Sequence, residues 1–298
     1  MAEHFVQAPQ WHWYILFYFF LAGLAGGSYT LATMLRLFGA DRDQAIARMG
    51  FLIAFPLAVI CGILLTVDLG QPFRFWHMLV NTTPGEGGPS FKYWSPISLG
   101  SWVLLLYSIF TFVSFLEALR NRTSRASAGV RVFNVIGSIL ALFIASYTGV
   151  VLSVSNQPVW SDTWTLGALF LASALSGSAA LLSWFAESRS ETNGTKRRLL
   201  KADGYFALLE LALIVMFFLT LAGAGTLSVA LAGPWSIIWI LVLGSLMLPI
   251  AALFRNRKAY DRATDATMRL GPAGSFALIV IAGIFLMRLA IIFSAQSS

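Results

Sequence analysis

Long apolar stretches alternate with short polar loops along the whole chain. Spanning a bilayer takes about 20 mostly apolar residues, and eight segments meet that requirement: 13–38, 49–69, 94–117, 131–155, 163–186, 204–229, 234–254 and 273–294. This pattern predicts an all-α integral membrane protein with eight transmembrane helices, forming a single membrane domain, 1–298. A division into halves, 1–160 and 161–298, is possible, but no internal repeat indicates it.

Proline and small residues add detail to these segments. Pro56 and Pro249 lie inside segments 2 and 7, where they are expected to kink the helices, whereas Pro272 opens segment 8, where proline costs little. In segments 1 and 5, small residues recur at i, i+3, i+4 and i+7, a spacing that lets helix backbones approach closely. These residues are Gly23, Gly26, Gly27 and Thr30, and Ser173, Ser176, Gly177 and Ala180.

Composition agrees with a membrane protein, and the distribution of charge predicts its orientation. Of 298 residues, 58% are apolar and 11% charged, whereas a soluble domain carries roughly 25% charged residues. The loops after segments 1, 3, 5 and 7 hold 17 of the 20 lysines and arginines. Because cytoplasmic loops are enriched in these residues, both termini and the loops after segments 2, 4 and 6 are expected outside. The first residues lack the basic region and cleavage site of a secretory signal.

The same observations exclude several function classes. The net charge of +7 sits mostly in short loops between apolar segments, so no nucleic-acid binding is expected. A single cysteine, Cys61, excludes cysteine-ligated Fe–S clusters and disulfides within the chain. None of the three histidines has metal-ligand spacing, and no pair of them lies within the helices, so neither a metal site nor haem is expected.

The stretch Cys61–Leu79, CGILLTVDLGQPFRFWHML, combines an apolar segment with chemistry-bearing side chains. Asp68 ends the segment, a Gly-Gln-Pro turn follows, and Arg74 and His77 come directly after it on the outer side. Asp68 and Arg74 could form a local ion pair or take part in function. The outer loops also hold most of the loop aromatics, among them Phe73, Trp94 and Trp160. This favours either an interfacial belt or a face that docks a protein or admits a flat ring.

Ionisable groups at membrane depth are costly, so each is a functional candidate. Arg288 lies about five residues before the outer end of segment 8, and Glu210 roughly two turns into segment 6 from the cytoplasmic side. Glu117 ends segment 3 on the inner side, where an interfacial position is the simpler interpretation. Glu210 and Asp68 are candidates for a proton pathway.

Further candidates are polar groups near the outer ends of the helices. Tyr147, in the outer half of segment 4, can make a hydrogen bond while its ring stacks on a flat headgroup. Tyr18 and His12 belong to the outer end of segment 1. His12 and His77 could move protons near neutral pH. Polar groups with aromatic neighbours suit a quinone headgroup, and the candidate set is Tyr147, His77, Arg74, Tyr18, Asp68, Arg288 and His12.

On these residues the sequence resembles the NrfD/polysulfide-reductase family of integral membrane subunits. The likeness covers nearly the whole chain in four ordered motifs: WHWYILFYFFLAGLAGGSY (Trp11–Tyr29), LLTVDLGQPFRFWHM (Leu64–Met78) followed by SPISLGSW (Ser95–Trp102), SYTGVVLSVSNQPVW (Ser146–Trp160) and LMRLAIIFSAQ (Leu286–Gln296). The resemblance implies two four-helix bundles in the bacterial inner membrane. It also implies electron exchange between a quinone, menaquinone or ubiquinone, and a four-cluster ferredoxin-like subunit attached to a molybdopterin oxidoreductase or a multihaem cytochrome.

The resemblance also implies roles for individual residues. The family's site tyrosine matches Tyr147, the arginine and histidine of its loop match Arg74 and His77, and its last-helix arginine matches Arg288. One departure is the first-helix histidine of polysulfide reductase, whose position is occupied here by Tyr18. A tyrosine can donate a hydrogen bond but is a poor proton acceptor, so His12 or His77 could supply that function instead.

Two other function classes stay open at this point. A secondary transporter or proton-translocating module could use Glu210 and Asp68 without quinone chemistry, although Pro56 and Pro249 do not occupy matching positions of two halves. A purely structural anchor for an Fe–S subunit would need only the outer surface and neither Tyr147 nor Arg288. The terminal substrate and the direction of electron flow are not encoded in this sequence.

Overall fold

A computed structural model describes residues 11–83, 85, 87–121, 126–187, 192–254 and 274–296. Eight long helices account for most of it: α1 Trp13–Phe38, α2 Gln44–Asp68, α3 Pro96–Arg120, α4 Ala128–Ser153, α5 Leu166–Glu187, α6 Asn193–Ala224, α8 Pro234–Phe254 and α9 Ser275–Ser294. A short helix, α7 Leu227–Leu231, lies between α6 and α8. All eight long helices have the length and hydropathy needed to cross a membrane, which confirms the predicted all-α membrane fold.

The loop between α2 and α3 has structure of its own. It begins with a 3-10 helix, Pro72–Met78, and continues into two short antiparallel strands, β1 Val80–Asn81 and β2 Gly88–Pro89. Val80 lies opposite Pro89 in this pair. A second 3-10 helix, Asp41–Asp43, joins α1 to α2. The apolar periodicity did not predict these elements because they are short and half exposed.

Local sequence explains where several helices begin and end. The Ser95 hydroxyl accepts a hydrogen bond from the backbone N–H of Ser98 and Pro96 follows it, which is a favourable start for a helix. Gly225 ends α6 with a positive φ of 81°, a conformation that glycine adopts without steric cost. Pro56 and Pro249 lie inside α2 and α8 as expected, whereas Pro272 lies outside the described residues.

The helices form two connected groups. In the first group, α1 contacts α2 and α4, and α3 packs against both α2 and α4. In the second, α5 contacts α6 and α9, and α8 packs against both α6 and α9. α1 and α5 join the groups. They are the most enclosed of the long helices, with 83% and 78% of the residues in their most apolar stretches buried.

Small residues make the contacts of α1 with its neighbouring helices close, as the i, i+3, i+4 spacing predicts. A Cβ added at Gly26 would lie 2.6 Å from the backbone carbonyl oxygen of Ala141 on α4. One added at Gly27 would meet Ser178 and a backbone carbonyl of α5, and one at Gly23 would lie 2.9 Å from the Arg288 guanidinium. Glycine at these positions therefore lets α1 pack directly against α4, α5 and α9.

Ion pairs hold the helices together at the arginine-rich end, which is the end with the loops after α1, α3, α5 and α8. Arg36 Nη1 lies 2.7 Å from Glu117 Oε2, so Glu117 is paired rather than simply interfacial. The Asp43 carboxylate is fully buried and accepts hydrogen bonds from Arg198, from Thr195 and from the backbone of Ala40. At the opposite end, which we call the terminal end, the backbone N–H of Trp11 donates to the Gln296 side chain at 2.9 Å.

Candidate functional site

Two buried tyrosines come together near the terminal end of the first helix group. Tyr18 follows the start of α1 by five residues, Tyr147 precedes the end of α4 by six, and they are 5% and 9% exposed. The two phenols are close enough to interact electrostatically, with Cys61 of α2 beside Tyr18. The Cys61 thiol lies 3.8 Å from the Tyr18 carbonyl oxygen. Three helices thus converge on one buried polar cluster.

The hydroxyl groups of this pair have different partners. Tyr147 donates a 2.5 Å hydrogen bond to the carbonyl oxygen of Pro96 at the start of α3, and its ring packs on Gly100, where a Cβ would overlap the ring. Phe143 stacks on the same ring at 5.6 Å. Within the part of the chain that the structure describes, the Tyr18 hydroxyl has no hydrogen-bond partner. It is therefore available as a donor to a ligand oxygen.

Arg288 lies in a different place, on the opposite side of α1. Its side chain is fully buried, Nη2 donates to the Phe170 carbonyl oxygen at 3.2 Å and Nη1 to that of Ile284 at 3.3 Å. The guanidinium carbon lies 4.8 Å from the centre of the Phe170 ring, and Gly23 leaves the space on α1 that it occupies. Because Gly23 and Tyr18 are roughly 140° apart around α1, Arg288 and the tyrosines face different helix groups.

Glu210 lies farther from the start of its helix than the sequence indicated. Because α6 begins at Asn193 rather than near residue 204, Glu210 lies near the middle of that helix. It is 1% exposed, and neither carboxylate oxygen has a hydrogen-bond partner among the described residues. Arg288 is close enough to interact with it electrostatically, but no contact within 4 Å joins the two side chains.

Asp203 is a buried acid that the apolar pattern of the sequence did not identify. It lies two turns before Glu210 on the same face of α6, is fully buried, and accepts a 2.6 Å hydrogen bond from the Ser176 hydroxyl of α5. Its other carboxylate oxygen, Oδ2, has no partner in the described part of the chain. The predicted segment began at 204, which left Asp203 in a loop. The available signal was its spacing of seven residues from Glu210.

The remaining candidates lie at the surface of the terminal end. Asp68 and Arg74 are exposed and, among the described residues, make no ion pair within 4 Å, so the local ion pair considered from the sequence is absent. His77 is partly exposed, with its ring centre 3.9 Å from that of Trp76. His12 is exposed at the start of α1.

Exposed aromatic side chains surround these surface groups, although one predicted member of the set is different. Phe73 is 93% exposed, and Phe75, Tyr93 and Trp94 are also exposed. Trp160 is instead fully buried, donating to the Ile291 carbonyl oxygen at 2.8 Å and packing 4.9 Å from Trp11. It joins α9 to the chain between α4 and α5.

The structure thus separates the seven candidate binding residues into three places. Tyr18 and Tyr147 share a buried cluster in the first helix group, and Arg288 lies with Glu210 in the second. Asp68, Arg74, His77 and His12 lie at the surface of the terminal end. Within the described ranges, no three His, Cys, Asp or Glu side chains are grouped as metal ligands.

Comparison with known proteins agrees with this architecture. Residues 2–298 match the family described as "Polysulphide reductase, NrfD". The protein is 28% identical to one of the polysulfide reductase chains of Wolinella succinogenes, over 96% of its own length and 94% of that protein. It is 26% identical to Protein NrfD of Escherichia coli, over 99% of its own length and 97% of that protein. A shorter match, 32% identical, covers 36% of this sequence and 22% of a selenate reductase subunit of Mesobacillus selenatarsenatis. With eight helices able to cross a membrane and a family match over nearly its whole length, this is a multi-pass membrane protein of the polysulfide reductase NrfD family.

Proposed function

We propose that this protein is the quinone-reactive subunit of a multi-subunit reductase in the bacterial inner membrane. It exchanges electrons between a membrane quinone, menaquinone or ubiquinone, and a four-cluster Fe–S subunit on the outer face. That subunit connects it to a molybdopterin oxidoreductase or a multihaem cytochrome. Two relatives are named as individual components of reductases, one for polysulfide and one for selenate, which supports a place beside catalytic subunits.

The observation that carries this proposal is the pairing of Tyr18 with Tyr147. A quinone headgroup has two carbonyl oxygens that accept hydrogen bonds, and the Tyr18 hydroxyl is a buried donor without a partner among the described residues. The Tyr147 hydroxyl is the second donor in the same cluster, and it exchanges its hydrogen bond to the Pro96 carbonyl oxygen for one to the quinone. Both lie roughly 8 Å along their helices from the terminal end, a depth that a lipid-soluble ring can reach.

The surface residues of the terminal end complete this proposal. When bound, the quinone supplies two-electron chemistry that is coupled to two protons. Tyr18 and Tyr147 orient its oxygens, and His77, at the surface, accepts or releases protons there, with His12 as a second candidate. Arg74 and Asp68 lie in the same surface region, and the exposed aromatic side chains around Phe73 provide an apolar face for the Fe–S partner.

Substitution of the two phenols tests the quinone site. Titration of the purified protein with a fluorescent quinol analogue, followed by quenching of the analogue's fluorescence, measures the affinity of the site. The affinity should be about tenfold lower in Tyr18→Phe and in Tyr147→Phe, because each variant loses one hydrogen-bond donor. Tyr205→Phe is the matched control, since the Tyr205 ring is 62% exposed on α6. If both variants bind the analogue with wild-type affinity, the assignment of the quinone site to Tyr18 and Tyr147 is wrong. The protein is then better described as a structural anchor for its partner subunit.

The Glu210 carboxyl group, which has no hydrogen-bond partner among the described residues, favours a second candidate function, proton translocation. Asp203 and Glu210 lie on one face of α6 and lead from the arginine-rich end toward Arg288, and carboxyl groups can pass protons along such a row. Proton uptake by vesicles should be lost in Glu210→Gln and kept in Glu187→Gln, whose side chain lies at the helix end beside Lys196. Uptake at the wild-type rate in Glu210→Gln would remove this function without affecting the quinone site.

A further inference from the structure

A small basic pocket opens at the arginine-rich end, far from the tyrosine cluster. Its volume is about 160 Å³, and its lining residues are Arg36, Leu37, Gly39, Gln44, Ala126 and Arg131. They come from the end of α1, the start of α2 and the residues just before α4 and in its first turn. The lining residues include two cations and no acid. Glu117 pairs with Arg36 from outside the lining, whereas Arg131 makes no ion pair with any described residue, so the pocket suits an anion.

Arg36 is a cation fixed in place at this pocket. Its side chain is 7% exposed, Nη1 is bonded to Glu117, and the guanidinium carbon lies 4.5 Å from the centre of the Phe51 ring. Its Nε is buried and has no hydrogen-bond partner in the described part of the chain. A donor that is rigidly held but unsatisfied indicates that a polar group outside the described contacts completes this site.

Arg131 and Gln44 add further donors to the pocket. Arg131 is exposed in the first turn of α4, and Gln44 is the first residue of α2. Neither side chain makes a hydrogen bond or ion pair with any other described residue. In contrast, the neighbouring Arg48 already donates through Nε to the Ala118 carbonyl oxygen. Two guanidinium groups and an amide are a donor set that matches the oxygens of a phosphate.

The surface beside the pocket is apolar and continues into the membrane span. Val135 and Ile139 follow Arg131 at i+4 and i+8 on α4 and are 39% and 62% exposed, and Ile136 next to them is 46% exposed. On α1, Met34 is 47% exposed just before the pocket. The site thus combines a phosphate-sized basic cavity with an apolar strip, an arrangement typical of a bound lipid.

We propose that this pocket binds the phosphate headgroup of an anionic diacyl lipid, with the acyl chains lying along the exposed strip of α4. Arg131 and Arg36 contact the phosphate, and Gln44 donates to one of its oxygens. The lipid fills the gap between the end of α1 and the starts of α2 and α4. This site is independent of the quinone proposal, since it shares no residue with it.

Lipid titration monitored by native mass spectrometry tests this site. The delipidated full-length protein is titrated with phosphatidylglycerol, with phosphatidylcholine and with inorganic phosphate. One phosphatidylglycerol should bind saturably to the wild type, about tenfold more weakly to Arg131→Gln, which loses a charged donor, and nearly normally to Arg131→Lys. Arg120→Gln is the matched control, because Arg120 is exposed at the same end and does not line the pocket.

Two outcomes would overturn the assignment. Equal phosphatidylglycerol affinity in Arg131→Gln and Arg120→Gln would show that the pocket is not the binding site. Saturable binding of inorganic phosphate that depends on Arg131, without preference for phosphatidylglycerol over phosphatidylcholine, would identify a free anion as the occupant in place of a lipid. Because Arg131 is exposed, its variants should unfold in phosphatidylcholine at the wild-type temperature, which separates a binding defect from misfolding.

Discussion

The two helix groups have buried polar side chains of different kinds. In the first, α1–α4, the buried groups away from the arginine-rich end are neutral. The Tyr29 hydroxyl bonds to Ser114 at 2.8 Å, Asn134 donates to the same Ser114 oxygen at 3.4 Å, and the Tyr107 hydroxyl is enclosed nearby. In the second, α5, α6, α8 and α9, the buried side chains Asp203, Glu210 and Arg288 are ionisable.

The two kinds of buried side chain suit different functions. Neutral hydroxyls can hold the oxygens of a ligand without the desolvation cost of a buried charge, so the first group suits a site for a neutral ring. Acids and a cation at membrane depth are expensive, and proteins keep them where charge or protons move. α1 lies between the two, with Tyr18 facing the first group and Gly23 against Arg288 of the second. α1 is therefore in contact with both groups.

The largest expected effect comes from removing the cation of the second group. Arg288→Leu should lower the free energy of unfolding by about 3–5 kcal/mol, because Glu210 loses its compensating charge and the Phe170 carbonyl oxygen loses a donor. Unfolding in mixed micelles with increasing sodium dodecyl sulfate measures this loss. Arg288→Lys, which keeps the charge, should lose clearly less.

A double-mutant cycle sharpens that result. If Glu210 and Arg288 interact, the double variant Glu210→Gln/Arg288→Leu should lose less unfolding free energy than the two single variants together. The difference should be at least about 0.5 kcal/mol. A loss of unfolding free energy under about 1 kcal/mol in Arg288→Leu alone would contradict the compensation of Glu210 by Arg288.

A smaller effect is expected where α1 packs against α4. Gly26→Ala should destabilise by about 1–3 kcal/mol, because the added methyl group meets the Ala141 backbone, which cannot move aside cheaply. Gly62→Ala on α2 is the matched control, since an added Cβ there has no heavy atom within 4 Å and alanine favours a helix by roughly 1 kcal/mol. Thermal unfolding of the two variants in detergent measures the difference, and equal stability would contradict the close packing of α1 with α4.

The smallest effect distinguishes two hydroxyl groups within the first group. Tyr29→Phe should cost about 0.5–1.5 kcal/mol, because Ser114 loses a partner in a buried network. Tyr107→Phe should change stability by less than roughly 0.5 kcal/mol, since the hydroxyl that it removes has no hydrogen bond to lose among the described residues. The same unfolding assay compares them, and a larger loss in Tyr107→Phe would show that its hydroxyl has a partner outside the described contacts.

Much of the fold could be predicted because each transmembrane helix satisfies its own backbone hydrogen bonds. Segment 234–254 matches α8 at both ends, and most other ends agree within a few residues. The exception is α6, whose first eleven residues are mostly polar and yet helical. Hydrogen bonding continues beyond the apolar span, so hydropathy could not locate the start of α6.

The candidate site could be predicted only as a set of residue types. Tyr147 and Tyr18 were identified from position and resemblance, but their proximity depends on how α1 and α4 rotate against each other. Trp160 was grouped with surface aromatics because it follows the end of a helix, whereas long-range packing against α9 buries it. Such contacts join residues more than a hundred positions apart, and no local pattern encodes them.

The sequence by itself determined the number of spans, the basic end and the small-residue contacts of α1, because apolar length, charge and side-chain size act locally. Only the tertiary structure decided that Tyr18 and Tyr147 share one cluster while Arg288 lies with Glu210 in another. The physical reason is that a helix presents different faces to different neighbours, and the choice of neighbours is made by packing over the whole molecule.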